Sequence, residues 1–174
     1  MSFSYKKIRT SNQQEIVFLN LRKNLGVIFK KGNEAIVLTD LNIRDKAFQY
    51  SVQPYLDSCR LTKIRILQQN QNFQNTVFIK QNKLIQFQNH IIFVADKEFQ
   101  NKIFPQKIKV DEVFITDNPK LNLRQITQNL IFDLLVVDSR NSDYLIKKLN
   151  EEANLDGRKI KILKRNFSLV VASK

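Results

Sequence analysis

The chain is 174 residues long and 43% hydrophobic, with 13 Phe, and its 29 Lys and Arg against 16 Asp and Glu give a net charge of +13. This length and apolar content suit one domain that buries its core unaided; the lone Cys59 excludes an intrachain disulfide, and no stretch approaches the ~18 apolar residues of a membrane span. The charge admits a polyanion as partner, nucleic acid or an anionic membrane surface, although a composition rich in Lys, Asn, Ile and Phe produces the same excess.

Residues 1–14 read as an N-terminal extension or linker without the apolar run of a signal peptide, and 15–174 as a single domain. Glu15–Asn20 and Leu25–Lys30 are short apolar runs rich in strand formers. Gly32-Asn33 makes a hairpin turn into strand Glu34–Thr39. Arg44–Cys59 predicts a helix disturbed at Pro54, with Ala47, Tyr50, Tyr55 and Leu56 as core contacts. Lys63–Leu67 alternates as a strand does, and the Gln/Asn-rich Gln68–Asn75 reads as a loop. Strands follow at Thr76–Lys80, Lys83–Phe87 and His90–Ala95, with turns at Gln81-Asn82 and Gln88-Asn89.

The second half alternates strand and helix. Strand Val110–Thr116 precedes a helix around Asn122–Leu130, and strand Asp133–Val137 precedes a helix around Ser142–Asn154 with Leu145, Ile146 and Leu149 on one face. Gly157 suits the left-handed helix end. The last strands are Lys159–Leu163 and Phe167–Ala172, joined by Lys164-Arg165-Asn166. Strands first and strand–helix alternation later argue for an α/β fold of layered sheets flanked by helices.

Catalytic chemistry is thinly supplied. His90, the one histidine, precedes an apolar strand and reads as structural or exposed. Cys59 has no histidine partner and reads as a packed or idle thiol. Ser139 and Ser142 near Asp138 read as turn and cap residues, and glycines at 26, 32 and 157 alone build no phosphate-cradling loop. No catalytic residue and no cofactor is assigned.

The order of elements and the stretches V-D-E-V-F-I-T-D-N-P-K-L-N-L at Val110–Leu123 and F-D-L-L-V-V-D-S-R-N-S-D-Y-L at Phe132–Leu145 resemble the C-terminal metallo-β-lactamase-like domain of ComEC-type competence proteins, the inner-membrane DNA-uptake channels. The likeness is greatest to a reduced, Bacteroidetes-like version and runs from about Glu15 to Ala172. Arg140 stands where that version has Ser or Asn. The resemblance implies a shortened, degenerate αββα sandwich with mixed sheets.

The departures from the metal-binding pattern are larger. Where the family has a D-V-G-x-G-D turn, this chain reads Asn20-Leu21-Arg22-Lys23-Asn24-Leu25, and L-I-D-T-G survives only as Asp40. H-x-H-x-D-H is replaced by Gln68-Gln69-Asn70-Gln71-Asn72, G-D by Ala95-Asp96, and H-H-G-S by Thr116-Asp117-Asn118-Pro119. A dinuclear hydrolase site needs several imidazoles and carboxylates, which one His cannot supply. Asp40, Asp96 and Asp117 are weak candidates for an all-oxygen Mg²⁺ site; the competing reading is that each ends a strand and caps a turn.

Two basic clusters stand out. Arg158, Lys159, Lys161, Lys164 and Arg165 lie within eight residues, with Lys159 and Lys161 on one strand face; Arg22, Lys23, Lys30 and Lys31 sit at the ends of the first hairpin. These nine residues are candidates for phosphate contact without sequence readout, or else a solvated face and edge protection. Phe29, Phe73 and Phe167 are candidates for stacking on bases or for core. The resemblance and the missing ligands together imply a non-catalytic soluble domain of a ComEC-like channel, its partners DNA and the transmembrane channel part, placed on the extracytoplasmic face. Two alternatives stay open: a residual carboxylate-only Mg²⁺- or Mn²⁺-dependent nuclease, and a protein-interaction scaffold without DNA affinity.

Overall fold

The computed structural model describes residues 13–164 and 168–172. It shows the mixed α/β class expected, with two mixed sheets and few helices, in two compact units. One unit runs through Gln71 and takes in the last strand; the other begins at Asn72 and takes in the elements up to Lys164.

The first unit is built on strands β1 (Gln14–Phe18), β2 (Gly26–Lys31), β3 (Glu34–Thr39) and β4 (Lys63–Leu67), with the C-terminal strand, β14 (Leu169–Ala172), added beside β1 in the order β14-β1-β2-β3-β4. Neighbours are antiparallel except β3 and β4, whose parallel pairing requires a crossover. Two short helices supply it, α1 (Lys46–Ser51) and α2 (Gln53–Ser58). The single expected helix breaks at Val52 because Pro54 enters the first turn of α2, where its missing N–H costs nothing. The break also changes which side chains reach the core. Phe48, Val52 and Leu56 are buried with Val17, Leu19, Ile28 and Val37, whereas Ala47 is exposed and Tyr50 is 80% exposed. Tyr55, as expected, packs against this cluster. At Gly26 a Cβ would lie 2.4 Å from the Leu21 side chain, so any larger residue there would have to push Leu21 aside.

The second unit holds one seven-stranded sheet in the order β13-β12-β10-β8-β7-β6-β5. Its strands are β5 (Phe73–Gln74), β6 (Phe78–Gln81), β7 (Leu84–Phe87), β8 (His90–Ala95), β10 (Glu112–Ile115), β12 (Leu134–Val137) and β13 (Lys159–Ile162). The Gln/Asn-rich stretch is therefore not all loop, since Phe73 and Gln74 pair with β6. β5 to β8 run antiparallel as a meander, whereas β8, β10, β12 and β13 are parallel. The parallel connections carry α3 (Leu123–Asn129) and α4 (Asp143–Leu155), and β9 (Ile108–Lys109) pairs with β11 (Leu130–Ile131) apart from the main sheet. Phe93, Ala95, Val113, Ile115, Leu135 and Val137 pack with Leu123, Ile126, Leu145, Ile146 and Leu149 of the helices. The alternate residues Ile92, Val94, Phe114 and Val136 are buried too. That double burial accounts for the continuous apolar runs in these strands.

β13 and β14 do not pair with each other. β13 pairs with β12 in the second unit and β14 with β1 in the first.

Candidate functional site

In an open α/β sheet the carboxyl ends of parallel strands present side chains and backbone together and are the usual ligand position. Here those ends belong to β8, β10 and β12 and are continued by Asp96, by Thr116-Asp117-Asn118 and by Asp138-Ser139-Arg140-Asn141.

Asp96 follows β8 and is 4% exposed. Lys83, at the adjacent start of β7, pairs with it and reaches Glu98 at 2.8 Å. Burial disfavours the Lys83 ammonium, but the hydrogen bonds and charges of Asp96 and Glu98 outweigh it and raise its pKa. Lys80 is buried nearby and donates to the Asn82 carbonyl at 2.9 Å. Its pKa is lowered by burial and by the Lys83 charge, against the pull of Asp96.

Asp117 follows β10. Lys97 and Arg140 both reach its Oδ1 at 3.3 Å. Asp117 and Asn118 have φ of 62° and 52°, a conformation Asp and Asn tolerate better than other non-glycine residues. The Asn118 N–H donates to Asn141 Oδ1 at 3.0 Å, and the Ser142 N–H donates back to Asn118 Oδ1 at 2.9 Å. The turn after β10 is thus laced to the turn that opens α4.

Asp138, after β12, is buried within this lacing. It accepts from the Thr116 hydroxyl at 2.6 Å, from Asn141 Nδ2 at 2.9 Å and from the Arg140 N–H at 3.1 Å. Burial pushes its carboxyl up to about 7, against those hydrogen bonds and the Arg140 charge.

The basic candidates divide. Lys159 and Lys161 are exposed on one face of β13, while Ile160 and Ile162 pack inward on the other. Arg158 lies 2.5 Å from Asp156 and stacks 5.0 Å over the Phe132 ring, and Lys164 pairs with Asp143. Arg165 and Phe167 lie outside the described residues. Arg22 and Lys23 are exposed in the turn between β1 and β2, with Arg22 at φ 58°. Lys30 is 4% exposed and Lys31 half-buried at the far end of β2, roughly 16 Å from its start at the usual rise per residue. The hairpin cluster is therefore two separated pairs, one of which has left the surface at Lys30. Phe29 is buried and Phe73 half-buried. Asp40 lies in the first unit, exposed, where it accepts the Leu25 N–H at 2.8 Å.

Family membership follows from the chain as a whole. The family model of the ComEC C-terminal domain matches residues 16–173. The chain belongs to the ComEC C-terminal domain family. None of the curated proteins matches it. Among solved structures it is similar to the metallo-beta-lactamase fold protein YhfI from Bacillus subtilis, at 10% identity and a TM-score of 0.49, over 91% of this chain and 100% of that one. No helix among the described residues is long and apolar enough to cross a membrane.

The dinuclear metal that the sequence resemblance implies does not fit the residues present in this ComEC domain. After β4, where the metal-binding pattern has its histidines, the Gln71 N–H bonds the Gln68 carbonyl at 3.0 Å and Gln71 Oε1 accepts the Gln68 N–H at 2.9 Å. Asp96 and Asp117 stand at the ends of neighbouring strands, as the pattern requires, but each already faces a lysine or arginine. Sequence reasoning missed Lys83, Lys97 and Arg140 as the partners of these carboxylates. Only the strand–turn–helix order, which puts successive strand ends on one edge, signalled that they would meet.

Proposed function

We propose that this ComEC C-terminal domain serves competence DNA uptake as a non-catalytic module that holds DNA by charge beside the transmembrane channel part, on the extracytoplasmic face. The observation that supports the non-catalytic reading is the pairing of Asp96 with Lys83 and of Asp117 with Lys97 and Arg140. A lysine ammonium or an arginine guanidinium supplies the neutralising charge a metal would, but it offers no open coordination position for a water nucleophile. Lys159 and Lys161 are the phosphate contacts, since they project from β13 with no carboxylate partner among the described residues. Arg158 and Lys164 flank them in ion pairs that a phosphate could replace.

Binding of fluorescent single- and double-stranded DNA across a salt series tests this. Affinity is expected to fall steeply between 50 and 200 mM salt, by roughly a thousandfold for about six phosphate contacts. Replacing Lys159 and Lys161 by Ala should weaken binding to all sequences alike and lower the salt slope by about two. Absence of binding at low salt would leave a protein-docking role. Mn²⁺-dependent degradation of the DNA that Asp96→Ala abolishes would overturn the non-catalytic reading.

A further inference from the structure

At the opposite, amino ends of the same parallel strands lies a second titratable group. His90 opens β8, and Asp111 and Glu112 lead into β10 beside it. One potential ligand atom from each of the three lies within 4.8 Å of the others. Backbone bonds hold the strand starts in place. The Asp111 N–H donates to the Ile91 carbonyl at 2.8 Å, and Asp111 Oδ2 accepts the Ile91 N–H at 2.7 Å.

Two features separate this group from an ordinary acidic surface. The chain carries 29 Lys and Arg, yet among the described residues none forms an ion pair with Asp111 or Glu112. The Glu112 side chain is only 5% exposed, and what faces it is the His90 imidazole. Burial raises the Glu112 pKa, the His90 charge and hydrogen bond oppose that, and the charges of Asp111 and Asp133 add to it. The spacing is the second feature. His90 Nδ1 lies 3.3 Å from one Glu112 oxygen and shares a long hydrogen bond of 3.4 Å with the other, well beyond the length of about 2.7–2.9 Å usual for a charge-assisted hydrogen bond. It is, however, the separation of two ligands on a tetrahedral zinc, since donors about 2.1 Å from the ion lie roughly 3.4 Å apart.

We propose that His90, Asp111 and Glu112 form a binding site for a divalent transition-metal ion, best matched by zinc, that clips the start of β8 to the start of β10. One imidazole and two carboxylates with a water in the fourth position make a three-protein-ligand tetrahedral set. The imidazole favours zinc over Mg²⁺ or Ca²⁺, which take oxygen ligands. The site is at the other end of the strands from the hydrolase positions and does not depend on the DNA reading.

The single histidine makes the test direct. Untagged protein is stripped with EDTA and titrated with zinc while the imidazole ¹H–¹⁵N signals, which belong to His90 alone, are followed. Those signals should move and saturate at one zinc per chain, with Nδ1 shifted most. Asp111→Asn and Glu112→Gln should each weaken binding by more than about the tenfold that loss of an outer-shell partner costs, and Cys59→Ser should leave it unchanged. Zinc should raise Tm and Mg²⁺ should not. Should Glu112→Gln fail to fold, the half-buried Asp111 carries the test. The proposal is overturned if zinc leaves the His90 signals in place, if both carboxylate variants bind zinc as the parent does, or if Mg²⁺ matches zinc. DNA affinity is measured separately, so either reading can fail alone.

Discussion

Asp138 carries three donors on one buried carboxylate, and burial still wins. Its carboxyl, pushed up to about 7, keeps a proton in the folded chain across the range from about 4 to 7, where an unfolded Asp has released it. Because the folded state binds the extra proton, stability should fall as pH rises through that window. Asp138→Asn keeps an acceptor for the Arg140 N–H and Asn141 Nδ2 and turns an amide toward the Thr116 hydroxyl, which can accept. Urea unfolding at pH 5 and pH 8 should show a clear loss of stability in the parent and a smaller loss in the variant, with the remainder owed to Glu112. The terminal Asp of a parallel strand was legible in the sequence as a strand end. Its burial was not, because burial depends on Thr116 and Asn141, 22 and 3 residues away, meeting on one edge.

Among the elements, α3 shows how local signals were read. Asn122 accepts the Gln125 N–H at 2.9 Å while Gln125 Oε1 accepts the Asn122 N–H at 2.8 Å, a full capping box. Asn122→Ala should therefore cost about 1 kcal/mol of unfolding free energy, read as a lower denaturation midpoint at unchanged slope. A Gln125→Ala variant should lose less, since only the returning bond goes. Strand positions, the α3 start and the α4 face were visible because period and caps are local. The split at Val52 needed the knowledge that Phe48, not Ala47 or Tyr50, faces the sheet. Nor could any local rule show that Asn118 laces one turn to another 24 residues away. The group at His90, Asp111 and Glu112 was hidden for the same reason. Histidine and carboxylates that stand about 20 residues apart become neighbours only when β8 and β10 pair in parallel.

On the scale of the molecule, family membership was legible from Val110–Leu145, while the arrangement of the ends was not. Apolar runs near both termini looked alike as strands, and nothing in their residues distinguished a hairpin with β13 from pairing with β1. The observed order completes the first sheet with β14 against β1 in antiparallel register from Phe18↔Leu169 to Glu15↔Ala172. That closure spans about 150 residues, so it carries a large loop-closure entropy and a high contact order. Pulse-labelled hydrogen exchange during refolding should find β8, β10 and β12 protected before β1. On the ribosome the same geometry imposes a waiting time. At some 5–20 residues per second, β1 must remain with one side open for many seconds after its own synthesis, an exposed apolar edge that only β14, made about 150 residues later, covers.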